Sequence, residues 1–152
     1  MDLGLTNKTA LVLGASSGLG AAIARTLAAE GARVAVAARR TDRLAALVAE
    51  IEAAGGQALA LQWDLADLAQ IEPRIAEVEA RFGPIDILVN NTGGPPPSTA
   101  AGQPPERWLA QFQAMVLSVI AVTDRVPGMK ARRWGRIVTS TSSGVVAPIA
   151  NL

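Results

Sequence analysis

Short, nearly continuous apolar runs alternate along the chain with stretches in which apolar residues recur every three or four positions. Thr9-Ala10-Leu11-Val12-Leu13 leads into glycine and predicts a strand buried on both faces. From Gly18, apolar residues at Ala22, Ile23, Leu27 and Ala28, followed by Glu30-Gly31, predict a helix with a glycine stop. Arg33 to Ala38 predicts a second buried strand. Asp42 is expected to cap a helix carrying Leu44, Leu47, Val48 and Ile51 and closed by Gly55-Gly56. Gln57 to Gln62 predicts a third strand. Asp67 is expected to cap the next helix, with Ile71, Ile75, Val78 and Phe82 on one face and Gly83-Pro84 ending it. Ile85 to Asn90 predicts a fourth strand.

A Gly- and Pro-rich loop then runs from Asn91 to Gly102. Pro104-Pro105-Glu106 suits the first turn of a long helix, because proline lacks only a donor that a helix start leaves unused. That helix is predicted to pass through Trp108, Phe112, Met115 and Val119, with Pro127-Gly128 bending or interrupting it. Arg136 to Thr141 predicts a fifth strand. Strands separated by helix-length segments imply right-handed crossovers and a parallel sheet covered on both faces. The expected fold is α/β, a Rossmann-like doubly wound parallel sheet of order 3-2-1-4-5. Its ligand crevice is expected at the carboxyl ends of strands one and four, where the order reverses. With no repeats, charge blocks or second composition regime, residues 1–152 read as a single domain.

Composition narrows the chemistry. The 152 residues include no Cys, no His and no Tyr, which excludes disulfides, thiol nucleophiles, thiolate metal sites and the commonest general base. A net charge of +1 gives no electrostatic case for nucleic acid or an anionic membrane. The start, Met1-Asp2-Leu3-Gly4, lacks the basic and apolar regions of a signal peptide. The uncharged apolar stretch Ala114 to Thr123 falls short of the roughly twenty residues a membrane helix needs. The expectation is a soluble cytoplasmic protein.

Candidate chemistry begins at Gly14-Ala15-Ser16-Ser17-Gly18-Leu19-Gly20, between the first strand and first helix. Gly14 allows a tight turn, Gly18 lets a pyrophosphate approach the backbone, and Gly20 permits close helix–strand packing. The helix amino terminus then offers unpaired N–H groups and a positive dipole end to phosphate. The spacing is G-x-x-x-G-x-G rather than G-x-G-x-x-G, and a ligand-free glycine turn is the competing interpretation. After the second strand, where an acid would read a ribose 2′-hydroxyl, stand Arg39 and Arg40. A planar guanidinium can bind a 2′-phosphate through two hydrogen bonds, which favours NADP(H) over NAD(H). The alternative is two solvated arginines at a helix start.

These motifs, with Asp64 in Trp63-Asp64-Leu65-Ala66-Asp67, Asn90-Asn91-Thr92-Gly93, and Gly135-Arg136-Ile137-Val138 leading into Thr139-Ser140-Thr141-Ser142-Ser143, resemble the short-chain dehydrogenase/reductases. They follow the family's order and spacing from about Leu5 to Leu152. Leu13 replaces the usual Thr before the first glycine, and Asn-Asn-Thr-Gly-Gly resembles a subgroup labelled 3-oxoacyl-[acyl-carrier-protein] reductase. The resemblance implies that Asp64 and Leu65 line an adenine pocket and that Asn90 supports the end of strand four. It further implies that Asn91 belongs to the cofactor-binding motif and that Gly93 lets the backbone approach the cofactor ribose. Ser142 matches the serine that holds a substrate carbonyl during hydride transfer, with Ser140 and Ser143 as neighbouring alternatives. A small-molecule carbonyl substrate is the implied partner.

Two departures bear on activity. The family's proton-donating Tyr is expected near position 155, with a Lys four residues later, whereas this sequence stops at Leu152. The family's Asn on the long helix is also missing, with Ala114 or Met115 near its place. The chain is therefore expected to be incomplete at its carboxyl end and impaired or inactive by itself. Alternatively, it is a non-catalytic dinucleotide-binding or interaction module that pairs with another chain, or a longer protein exists. Strand five is expected to be a bare edge, with Val138, Val145 and Val146 uncovered. Homo-oligomerisation stays open, and the usual family tetramer is not expected.

Overall fold

The computed structural model describes residues 1–99, 101–126, 128–142, 144, 146 and 147. Strand β1 (Thr9–Leu13) is followed by α1 (Gly18–Ala29), β2 (Arg33–Ala38), α2 (Thr41–Ala53) and β3 (Gln57–Gln62). A short 3₁₀ turn (Leu68–Gln70) leads into α3 (Ile71–Phe82) and then β4 (Ile87–Asn90). Next come α4 (Pro105–Phe112), a π-helical turn (Gln113–Leu117), α5 (Ser118–Asp124), α6 (Gly128–Ala131) and β5 (Arg136–Thr139). The strands form one five-stranded sheet in the order β3-β2-β1-β4-β5, with every pairing parallel. The predicted order and architecture are those observed.

Alternation along each central strand separates two cores. Ala10 and Val12 of β1, with Val34, Val36 and Val89, face α1 and α2 through Ala21, Ala24, Ala28, Leu44, Leu47 and Ile51. The small residues of α1 let its backbone lie close to the sheet. On the other face, Leu11, Leu13, Ala35 and Leu88 meet Ile71, Ile75 and Val78 of α3, together with Val122, Val126 and Met129. Thr9 is fully buried and satisfied, its N–H donating to Asp86 Oδ2 (3.2 Å) and its hydroxyl to the Phe82 carbonyl (2.9 Å). That pair ties the start of β1 to the segment entering β4.

Local chemistry moves several boundaries. Asp42 does not cap α2: Arg40 holds the N-cap position, and Asp42 sits in the first turn, where its charge still complements the helix dipole. Asp67 caps the 3₁₀ turn rather than α3, its carboxylate accepting from the Ala69 N–H (3.1 Å). Strand β4 begins at Ile87, because the two preceding residues anchor other segments: Ile85 is buried in the core and Asp86 bonds Thr9. Strand β5 ends at Thr139, although Ser140 N–H still reaches the Asn90 carbonyl (2.9 Å). Only the three inner strands, β2, β1 and β4, approach the expected double cover. β3 is exposed at alternate positions and β5 along its whole length.

The bare fifth strand is as anticipated for Val138 (54% exposed) and Val146 (90%), whereas Val145 lies outside the described residues. The long helix is also broken at a place its sequence does not announce, by the π turn at Gln113–Leu117. An 18-residue window within Pro105–Ala131 has a mean hydropathy of 1.2, and by length and composition alone the stretch is long and apolar enough to cross a membrane. The ten uncharged residues counted in the sequence understate it. A core helix passes the same test, and Val122, Val126 and Met129 of this stretch pack against the sheet.

Helix α6 ends in a left-handed turn at Arg133 (φ 54°), with Trp134 N–H bonded to the Met129 carbonyl (3.2 Å) and Arg133 N–H to that of Lys130 (3.0 Å). This is a Schellman stop with arginine where glycine is usual. An L side chain in that conformation costs about 1–2 kcal/mol, partly offset by the larger unfolded-state entropy of glycine. Arg133→Gly is therefore expected to stabilise the fold by about 0.5–1 kcal/mol, raising the thermal midpoint by roughly 2–3 °C. A lower midpoint in calorimetry would contradict the strain argument.

Candidate functional site

The crevice forms where β1 and β4 diverge at the middle of the sheet, and it holds a cavity of about 770 Å³. Its floor and rim come from Gly14, Ser16 and Ser17 after β1, Ala38, Arg39 and Arg40 after β2, and Trp63, Asp64 and Leu65 after β3. Asn91, Thr92 and Gly93 after β4 add a third side, and Ala110, Gln111, Ala114 and Met115 supply a helical wall. Every strand-end motif singled out in the first four strands contributes.

Close packing fixes the glycine turn. A Cβ on Gly14 (φ 62°) would lie 2.3 Å from the Asn91 carbonyl oxygen, and one on Gly20 would lie 2.5 Å from the Gly14 carbonyl oxygen. Asn91 fastens the same junction, its side-chain amide donating to the carbonyls of Leu13 and Gly14 (3.3 Å each). Gly18 differs. It also has positive φ (54°), but a Cβ there would meet nothing within 4 Å, so its open side faces free space. Ser17 occupies the N-cap of α1 without capping it through its side chain. The first-turn amides of α1 thus lack a side-chain acceptor, which is the chemistry a phosphate group requires.

The Ser17 hydroxyl, which does not cap α1, is engaged elsewhere. Arg40 donates to Ser16 Oγ through Nε (3.1 Å) and Nη2 (2.8 Å), and to Ser17 Oγ through Nη2 (2.7 Å). The guanidinium thereby spans from the end of β2 to the glycine turn. Arg39 lines the same cavity. Asp64 forms a local turn, one carboxylate oxygen accepting from Ala66 N–H (3.0 Å), and its second oxygen makes no hydrogen bond among the described residues. Asn90 is buried. Its amide donates to the hydroxyls of Thr123 (3.2 Å) and Thr139 (3.4 Å), joining β4 to α5 and β5, while its Oδ1 has no partner among the described residues.

Five of the sequence candidates, Gly18, Leu19, Gly20, Asn90 and Ser142, are not among the residues that line the cavity. Leu19 is 68% exposed on the first turn of α1 and is not among the cavity's lining residues. Ser142 is exposed, accepts a hydrogen bond from Gly144 N–H (3.1 Å), and is likewise not among the lining residues. Ser143 lies outside the described residues. Conversely, the structure adds Trp63, whose buried indole N–H has no partner among the described residues, and the helical wall around Gln111 and Met115. A lone tryptophan beside Asp64 in an alanine-rich chain was the one available signal for the first. Nothing in the sequence marks the π turn that builds the second.

A parallel sheet of this order, with a glycine turn and bare helix amides at its switch point, defines a Rossmann-type α/β protein. The family model for short chain dehydrogenase matches residues 8–152, and the chain belongs to that family. It is 40% identical over 141 residues to a putative ketoacyl reductase of Streptomyces coelicolor, covering 91% of this chain and 54% of that protein. Among solved structures it superimposes on L-sorbose reductase from Gluconobacter frateurii, complexed with NADPH and L-sorbose. There the TM-score is 0.91 at 33% identity, over 98% of this chain and 57% of that one. An actinorhodin polyketide ketoreductase variant with NADPH gives 0.88 at 37% identity, over 99% and 59%. The chain thus spans about half the length of the relatives it matches.

The two glycine environments separate folding from binding. Gly20→Ala forces a methyl into a carbonyl and is expected to cost about 3 kcal/mol of stability, the upper end of overpacking. Gly18→Ala meets no atom and should cost only the 1–2 kcal/mol or so of left-handed strain. Its methyl would instead occupy the open side of the turn. Denaturant titrations read the first effect, and dinucleotide titration reads the second. Equal stability losses would refute the distinction.

Proposed function

We propose that this chain is the NADP(H)-binding portion of a short-chain reductase-type oxidoreductase that takes a ketone or 3-oxoacyl thioester to an alcohol. The observation that carries the cofactor choice is the Arg40 guanidinium held on the hydroxyls of Ser16 and Ser17. With Arg39 beside it, it offers a 2′-phosphate a charge-assisted, multiply donated site at the end of β2, where a carboxylate would repel that group. The NADPH bound in the two solved relatives and the name ketoacyl reductase support the same reading.

The roles then follow from position. The α1 amides and the open side of Gly18 take the pyrophosphate, with Ser16 and Ser17 at its edge. Asp64 and Leu65 border the adenine, the free carboxylate oxygen of Asp64 accepting from its amine. Gly93, where a Cβ would meet nothing within 4 Å, lets the chain run close to the ribose. Asn90 and Asn91 hold the end of β4 against its neighbours. Bound NADPH supplies hydride from its nicotinamide C4. Ser142, whose hydroxyl hydrogen is left over after Oγ accepts from Gly144, donates to the substrate carbonyl. The chain has no Tyr to protonate the product alkoxide. Tested by itself, it is expected to bind cofactor while lacking the roughly 10²–10⁴-fold that general acid catalysis contributes.

The exposed β5 residues Ile137 (46%) and Val138 (54%) favour a companion reading, in which another chain covers that edge. Sedimentation equilibrium should then show self-association that Val138→Lys abolishes, and a monomer at all concentrations would reject it.

Cofactor binding is tested by thermal unfolding with NADPH and with NADH. Saturation at a hundredfold over Kd stabilises by about 2.7 kcal/mol, and an unchanged midpoint at millimolar NADPH rejects the proposal. Arg40→Ala is expected to weaken NADPH by about 10–100-fold and NADH little, with Arg39→Ala acting in the same direction. Equal losses for the two dinucleotides would rule out a 2′-phosphate role.

A further inference from the structure

We propose that Gln113 is a positioning residue for the dinucleotide cavity. Its side-chain amide is a strap that holds the helical wall against the loop after β3. The claim rests on the cofactor reading above and starts from a packing anomaly. Ala110, Gln111, Ala114 and Met115 form one wall of the cavity, yet no residue of α4 or of the π turn is buried. Hydrophobic burial, which fixes α1, α2 and α3 to the sheet, therefore does little to fix this wall.

A polar tie takes its place. Gln113 Nε2 donates to the Ala66 carbonyl at 2.6 Å, a contact between residues 47 apart in sequence. Among the described residues it is the only hydrogen bond between α4 or the π turn and the loop after β3. Ala66 also bonds Asp64 through its own N–H, so the strap ends on the turn that sets the Asp64 carboxylate. The π turn begins at Gln113 itself. Widening the helix there carries Ala114 and Met115 round to the cavity wall, and π bulges recur where a helix serves a site. The strap thus sets the distance between the helical wall and the adenine-side loop. It acts on the part of the cavity common to NADPH and NADH, not on the phosphate that separates them.

The test uses the full chain and four variants. Gln113→Ala is expected to weaken NADPH and NADH alike, by about three- to tenfold, the worth of one partly exposed hydrogen bond. This contrasts with the selective loss in Arg40→Ala. Gln113→Lys keeps a donor of sufficient reach and should restore most of the affinity, while Gln113→Glu, an acceptor facing a carbonyl, should not. The unliganded thermal midpoint should stay within about 1 °C throughout, since no buried surface changes. Wild-type affinity in Gln113→Ala would overturn the proposal, as would equal affinities for the lysine and glutamate variants. A fall in midpoint paralleling the affinity loss would make the role merely structural and also overturn it. If the unsubstituted chain binds neither dinucleotide, the cofactor reading fails. The strap is then judged separately by amide hydrogen exchange of residues 64–67, which Gln113→Ala must accelerate and Gln113→Lys must not.

Discussion

The close contact between the turn after β1 and the end of β4 governs the rest of the site. Gly14 and Gly20 leave no room for a side chain, and Asn91 bonds two carbonyls of the same turn. Because β1 and β4 are neighbours in the sheet, this junction fixes how far the crevice opens and where α1 begins. The amides of that first turn point to the crevice because α1 reverses direction at once to run back along the sheet. Every helix packed antiparallel to these strands shares that arrangement, so amino termini gather at the crevice and carboxyl termini at the opposite end. The basic residues in the last turns of α3 (Arg81) and α6 (Lys130) sit where the carboxyl-terminal dipole favours them. The charge pattern at that end therefore has a structural cause and requires no anionic partner.

The organisation of the sheet was legible because it is written in burial. Five apolar runs and their glycine or proline stops place the strands and the first three helices to within a few residues, and the short crossovers leave one economical strand order. What escaped is chemistry that competes locally with pattern. Asp42 has the composition of a cap, but the helix starts two residues earlier, with Arg40, which bridges to Ser16 and Ser17, at its N-cap. Leu19 belongs to the glycine motif by spacing, and on the first turn of α1 its side chain is exposed. The π turn begins at Gln113, whose amide meets a carbonyl 47 residues away, and no local pattern encodes that contact.

Arg40 illustrates why two adjacent arginines cannot be ranked from sequence. Both follow the same strand, and either fits a 2′-phosphate on charge alone. The distinction comes from the hydroxyls across the turn, which hold one guanidinium in a fixed orientation and leave the other untethered. Holding Arg40 this way reduces the side-chain freedom lost on binding, so the ordered arginine carries more discrimination per hydrogen bond. The same bond turns the Ser17 hydroxyl toward the guanidinium, and α1 has no side-chain cap. The site thus keeps an acidic group's place open at the helix start while fixing a cation beside it.

The cavity is consequently built from two kinds of material. Its floor rests on β1, β2 and β4, whose residues are almost wholly buried and whose positions are set by both cores. Its far wall rests on α4 and the π turn, which contain no fully buried residue and are tied to the loop after β3 by a polar contact. A stiff floor suits phosphate and adenine recognition, where small displacements cost hydrogen bonds. A wall without a core beneath it can shift at little energetic cost, and in this chain it carries Ala114 and Met115. Substitution there leaves the sheet and both cores undisturbed, because no buried surface depends on those positions. The floor constrains what dinucleotide fits, and the wall is free to vary what lies against it.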